Sequence, residues 1–277
     1  MDKEKSATLP TKDGKRRIII MGATSGIGLR SAIILALAGW RVGVAGRNLH
    51  VLKKLKHRFP KSVEYERIDI TEQDAPRQLH KLIKRLGGMD IYFHVSGVFF
   101  DNPDLMIDQE VTTLQTNVTG FARMTATAYR YFRDMGTRGQ IAAITSVAGT
   151  NGIGVLASYS ASKRFDQTYL TALQQLANIQ GVNVAITDIR PGWIRTPLEN
   201  PECNYPMNMS LSYSVPRILE AIIRRRRVAV IDYRWSLLCR LWRCLPRCVW
   251  ERINPRISTP ATSEEAQRNK EMEQTDV

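Results

Sequence analysis

Cysteine and histidine are scarce in this chain, four of each in 277 residues. Cys239, Cys244 and Cys248 cluster late, but no histidine accompanies them and no Cys-x-x-Cys occurs, so no metal site is expected. So few thiols fit a reduced, cytoplasmic setting rather than a disulfide framework. Long apolar runs are missing too. None reaches the length of a membrane span, and Met1 to Lys5 lacks the apolar stretch of a signal peptide. Acidic residues are short, 26 against 40 lysines and arginines, and the net charge of +14 asks for an anionic partner. A polyanion and an anionic membrane surface are candidates, and a phosphate-rich cofactor can account for part of the excess. Arg224 to Arg227 reads as the cationic end of a helix, and no recognised nucleic-acid module occurs, so nucleic acid is not expected.

No internal repeat or linker interrupts the main body of the chain. What fills it is alternation. Short apolar runs at Ile18–Met21, Arg41–Ala45, Val63–Ile68, Ile91–Val95, Ile141–Thr145 and Val182–Ile189 read as buried strands. Between them, Gly26–Ala38, Leu49–Phe59, Asp74–Leu86, Asp108–Asp134 and Ser158–Gln180 have helical length and spacing. Strand–helix alternation predicts an α/β fold, a doubly wound parallel sheet with helices on both faces, and ligands beyond the carboxyl ends of the strands. One domain is expected over 15–231, after a flexible arm at 1–14. Within it, 192–211 is a Pro-, Asn- and Met-rich excursion of the kind that forms lids. A helix over Tyr213–Arg226 and a strand over Val228–Ile231 follow. Residues 232–258 form a basic amphipathic extension, and 259–277 a tail expected to be disordered.

The first strand ends in Gly22-Ala-Thr24-Ser25-Gly26-Ile27-Gly28 and a helix follows at once. Such glycines let the backbone turn tightly and approach a pyrophosphate, while the helix start offers unpaired N–H groups. The second strand ends in Ala45-Gly46-Arg47-Asn48. An acid at this tip would accept bonds from the adenosine ribose and repel a 2′-phosphate; here Gly46 removes it and Arg47 can pair with the phosphate. NADP(H) is therefore expected over NAD(H), with Arg47 and Asn48 as its ligands at this strand tip. Further on, Tyr159 and Lys163 stand one helical turn apart on the same face, where an ammonium beside a phenol favours proton exchange.

Over roughly Lys15 to Ile231 the chain resembles the short-chain dehydrogenases/reductases, whose fold is a single Rossmann-type sheet. The glycine turn, Asp69-Ile70, Asn117, Ser146, Tyr159-x-x-x-Lys163 and Pro191-Gly192 with Thr196 fall in that family's order. The resemblance implies an oxidoreductase moving hydride between nicotinamide and a carbonyl or alcohol. It implies Tyr159 as general acid/base, Lys163 on the nicotinamide ribose and lowering the Tyr159 pKa, Ser146 on the substrate oxygen, and Asn117 holding a relay water. It implies Asp69 and Ile70 against adenine, Gly97 in close backbone approach, and Pro191, Gly192, Ile194 and Thr196 around the carboxamide. It also implies a homodimer or homotetramer through the helices at Asp108–Asp134 and Ser158–Gln180.

The chain departs from that family at His94-Val-Ser-Gly97, where Asn-Asn-Ala-Gly is common, and at Met21, where a Thr is common. His94 reads as a satisfied buried polar residue. Ile153, Val155, Leu156 and Trp193 suggest a fairly apolar substrate. In the extension, Trp235, Leu238, Trp242 and Leu245 recur at helical spacing with arginines elsewhere, and Pro246 should restart the helix. That face suits an anionic membrane surface through Trp235–Trp250, its own domain, or a partner subunit. Two functions follow: an NADP(H)-dependent carbonyl reductase or alcohol dehydrogenase, cytoplasmic or peripheral on a membrane, and a membrane-associated cofactor-binding adaptor with a retained dehydrogenase fold.

Overall fold

The computed structural model describes residues 16–200, 202–253, 255, 258–263 and 265; the expected arm at 1–14 and the tail from 266 onward lie outside them. The chain runs β1 (Arg17–Met21), α1 (Gly26–Leu37), β2 (Arg41–Gly46), α2 (Leu49–Arg58), β3 (Val63–Arg67), α3 (Ala75–Leu86) and β4 (Ile91–His94). It continues through α4 (Ile107–Leu114), a π-helical turn (Gln115–Gly120), α5 (Phe121–Met135), β5 (Gly139–Ile144), α6 (Ala157–Gln180) and β6 (Val184–Pro191). The carboxyl third holds β7 (Cys203–Asn204), α7 (Leu211–Ile223), β8 (Val228–Ile231), α8 (Tyr233–Cys244), α9 (Arg247–Trp250) and β9 (Thr259–Pro260).

Seven strands form one parallel sheet in the order β3-β2-β1-β4-β5-β6-β8. Successive side chains of a strand point to opposite faces, and both faces here are apolar. Ile18 and Ile20 of β1 join a core with α1, α2, α7 and α8, whereas Ile19 and Met21 join one with α3, α5 and α6. The strand order reverses between β1 and β4, and a crevice opens there at the carboxyl ends.

Two details differ from the sequence reading, the length of one helix and the order of the tail. The stretch Asp108–Asp134 is not one α-helix, because the π turn widens it between α4 and α5 and turns Asn117 inward, 1% exposed. On α4, expected to carry a subunit contact, Ile107, Val111 and Leu114 face solvent at helical spacing. From the stretch expected to be disordered, Thr259 and Pro260 pair antiparallel with Asn204 and Cys203, and Ala261 N–H donates to the Glu202 carbonyl.

The extension folds back on its own domain. Trp235 is 3% exposed, Trp242 lies 6.5 Å from it and 5.4 Å from Trp250 by ring centroid, and the Trp250 indole donates to the Gly152 carbonyl at 2.6 Å. Leu245 does not share this face: α8 ends at Cys244, Leu245 has extended backbone, and α9 restarts after Pro246. Packing Trp235 and Trp242 inward leaves Tyr233, Leu237 and Leu241 exposed on the outer side of α8.

Candidate active site

The cradle at the end of β1 is built by close backbone contact. Gly22 has φ +95°, and a Cβ there would lie 2.6 Å from the Ser96 amide nitrogen beyond β4. A Cβ on Gly28 would lie 2.0 Å from the Gly22 carbonyl oxygen, so only glycine lets α1 start this close to the strand. Ser25 precedes α1 without a side-chain capping bond. The first N–H groups of α1 therefore have no Ser25 hydroxyl satisfying them, the condition under which a helix start takes a phosphate. At the tip of β2 a Cβ on Gly46 would lie 2.8 Å from Thr24 Cγ2, so an acidic side chain has no room there. Arg47 beside it is exposed. Burial would raise the Asp69 carboxyl, but bonds from Thr71 N–H (3.0 Å) and Oγ1 (2.7 Å), with Arg47 and Arg67 nearby, leave it below its ordinary value.

Across the crevice, α6 carries Tyr159 and Lys163. The Lys163 ammonium is buried and donates to the Ile144 carbonyl at 3.3 Å and to Asp166 Oδ2 at 3.2 Å. It lies 5.8 Å from the Tyr159 ring centroid. Burial pulls Lys163 down, but Asp166, Tyr159 and Asp188 outweigh it and hold its pKa above the ordinary value. Ser146 follows β5; its Oγ accepts from Ala148 N–H at 3.1 Å, and its carbonyl accepts from Gln167 at 2.7 Å. Asn117 ties the β4 exit to the π turn, accepting from Val98 N–H and donating to Val98 O, both at 2.8 Å. At the end of β6, Gly192 lies on Trp235, where a Cβ would be 2.1 Å from Cε2. The Thr196 methyl is 3.1 Å from the Cβ position of Gly26, joining the loop after β6 to the glycine turn.

A short chain dehydrogenase family profile matches residues 16–204. The chain belongs to the short-chain dehydrogenase family. Its place there makes it an oxidoreductase of CH–OH and C=O groups. It is 30% identical over 230 residues to an uncharacterized oxidoreductase of Myxococcus xanthus, covering 80% of this chain and 88% of that one. A variant of the actinorhodin polyketide ketoreductase, solved with NADPH, is 26% identical with a TM-score of 0.61, over 69% of this chain and 74% of that one. A short chain dehydrogenase from Burkholderia cenocepacia, solved with NADP, shares the fold at 17% identity and a TM-score of 0.73, over 86% and 97%.

In this dehydrogenase one cleft gathers Gly22, Thr24, Ser25, Gly26, Ile27, Arg47, Asp69, Ile70, Gly97, Ser146, Tyr159, Lys163, Pro191, Gly192, Ile194 and Thr196. Gly28 lies beneath it as the contact that seats α1. Asn117 stands behind it, with its side chain on Val98. Asn48 caps α2, accepting from Val51 N–H at 3.3 Å, and does not line the cleft. The sequence reading missed Phe99, which lines the cleft edge-on to both Tyr159 (5.0 Å) and Trp193 (5.4 Å). Its signal was a Phe pair two residues beyond Gly97. It also missed Asp166, an acid three residues past Lys163 and therefore on the same face of α6.

His94 is buried as expected: Nδ1 shares a hydrogen bond with Tyr92 Oη at 2.8 Å, and the Ser96 backbone also bonds the ring. Burial, with Lys163 nearby, lowers its pKa to about 3. A base depressed in the fold contributes stability that is present above its unfolded pKa, near 6.5, and is lost as pH falls toward 3. His94→Asn cannot take up that proton. In urea unfolding between pH 7 and 4.5, the wild type should lose about 2–3 kcal/mol more than His94→Asn, at about 1.4 kcal/mol per pH unit. Parallel losses would contradict a neutral buried His94.

Proposed function

We propose that this chain is an NADP(H)-dependent enzyme interconverting a ketone and a secondary alcohol on a fairly apolar substrate. The observation carrying this reading is that Ser146, Tyr159 and Lys163 line the same cleft as the glycine cradle. The cradle fits a dinucleotide: Gly22 and Gly28 are positions that a Cβ would block, α1 starts without a side-chain cap, and Gly46 leaves no carboxylate to oppose a 2′-phosphate. The actinorhodin ketoreductase bound to NADPH supports the same choice.

When bound, the nicotinamide supplies and accepts hydride. The protein's part is position and a matched proton. Tyr159 gives its phenolic proton to the oxygen that gains charge, and Ser146 Oγ donates a second bond to that oxygen. Lys163 would hold the nicotinamide ribose, and it keeps positive charge beside the phenol. Pro191, Gly192, Ile194 and Thr196 would hold the carboxamide, while Arg47 would pair with the 2′-phosphate and Asp69 and Ile70 would flank adenine. Asn117 fixes the backbone at Val98 from behind and would hold the relay water that the family resemblance implies. Phe99 and Trp193 line the cleft next to Tyr159, with buried Ile153 and Leu156 packed against them, an apolar surface that suits a substrate with an apolar body.

NADPH oxidation across a ketone panel that includes lipid-like ketones tests this reading. Arg47→Ala should weaken NADPH about 10–100-fold, the cost of one charge-assisted bond, and leave NADH nearly unchanged. Equal losses for both cofactors, or no initial preference, would refute the phosphate role. NADPH binding without turnover of any ketone would favour the adaptor.

A second reading concerns location. Tyr233, Leu237 and Leu241 are exposed on the outer side of α8, with Arg234 and Arg240 exposed beside them. No helix among the described residues is long and apolar enough to cross a membrane. An apolar strip edged by arginines fits the surface of an anionic bilayer; a second copy would bring the same cations face to face. The surface in question is thus the leucine side of α8, not the tryptophan side. Wild type should float with phosphatidylserine vesicles, and Leu237→Ser/Leu241→Ser should not. Equal behaviour of the two would remove the proposal and leave the enzyme untouched.

A further inference from the structure

Lys163 is 5% exposed and Asp166 is fully buried, one turn further along α6. An ammonium taken out of water loses its proton readily unless a charge or hydrogen bonds hold it. Lys163 has the Ile144 carbonyl and one carboxylate oxygen, Asp166 Oδ2. The other oxygen, Oδ1, has no hydrogen-bond partner, so nothing in the fold requires this side chain to be an acid except its neighbour.

The charged and titratable groups facing the pair come from each element packed on it. Tyr159 lies on the same helix, and His94 on β4 is neutral. Asp188 on β6 is the other carboxylate, but it is already engaged, accepting from Thr145 Oγ1 at 2.7 Å and from Arg190 at 2.5 and 2.7 Å. Arg190 therefore answers Asp188, and Asp166 is left to answer Lys163.

We propose that Asp166 is a positioning residue of the acid/base site: it keeps the buried Lys163 ammonium charged and anchored at the end of β5 through the alkaline range. The inference rests on the dehydrogenase reading for its functional meaning, though the charge pairing stands without it. Burial, with Asp188 adding and Lys163 opposing, pushes the Asp166 carboxyl up to about 7. As pH rises, the first proton to leave the pair is then that of Asp166. The anion so formed is what retains the second proton, on Lys163. Without the carboxylate, burial has no opponent of that strength, and Lys163 itself becomes the first group to lose a proton. Because the groups titrate together, the effect is read as a shift of the site's alkaline limb rather than assigned to one atom.

The test uses NADPH as probe and Asp166→Asn, which keeps the shape and removes the charge. NADPH affinity followed by fluorescence from pH 6 to 10 should fall off at least about one pH unit lower in Asp166→Asn than in wild type. The unliganded protein supplies a second readout. A folded carboxyl at about 7 against an ordinary 3.8 means that stability present below 3.8 is lost as pH rises to 7, and the asparagine escapes that loss. The melting temperature of Asp166→Asn relative to wild type should therefore climb from pH 4 to 8. A carboxyl that is only buried gives the same climb to pH 8, so the pairing is read from pH 8 to 10, where Lys163 loses its proton in the variant alone and the difference climbs further. An alkaline limb that does not move, or no further climb above pH 8, overturns the proposal. If the asparagine variant does not fold, Asp166→Ser removes the same charge and is read the same way. If wild type binds no NADPH, the dehydrogenase reading fails while the melting series still decides the pairing.

Discussion

A cation out of contact with water at the carboxyl end of the central sheet constrains much of what surrounds it. The Ile144 carbonyl and Asp166 face Lys163, and Asp166, Tyr159 and Asp188 together outweigh the burial that would strip its proton. Asp188 sits close enough to contribute but is matched by Arg190. Buried ion networks of this kind are poor sources of stability, since desolvation costs about as much as attraction returns. Lys163 lines the cleft, while Asp166, Asp188 and Arg190 are buried and do not line it.

The second constraint is steric. Gly22 against Ser96, Gly28 against Gly22, Gly46 against Thr24 and Gly192 against Trp235 are four places where backbone must approach within the radius of a methyl group. Three of them shape the glycine-turn end of the cleft. The fourth links the loop after β6 to the extension, because the ring that forbids a side chain at position 192 belongs to α8. Thr150 with Cys239, Asn151 with the Trp242 carbonyl and Gly152 with Trp250 continue that link along the loop before Tyr159. The extension thus packs behind the cleft, and its sequence bears on the geometry of the loop before Tyr159.

Features set by local pattern were readable from the chain. The strands follow from apolar runs, the glycine turn from its spacing, and the Tyr159–Lys163 pair from one helical turn. Features set by who packs against whom were not. Asp166 is one turn from Lys163 in the sequence, yet its partnership follows only once that side of α6 is buried. Asn48 looked like a strand-tip ligand because capping and binding use the same residue type in the same place. Leu245 matched the tryptophan spacing, but the helix carrying that spacing stops one residue earlier. The direction of the tryptophan face could not be read, since an amphipathic helix does not say what covers it.

We assign to Tyr159, held beside a charged Lys163, delivery of the proton that accompanies hydride transfer. This assignment is tested most directly by following deuterium from [4-2H]NADPH to the carbonyl carbon of a reduced ketone, in wild type and in Tyr159→Phe. Wild type should transfer the label, and Tyr159→Phe should bind NADPH equally well while transferring it at least about 100-fold more slowly, the usual scale of general acid catalysis. Equal rates in the two proteins would contradict the assignment.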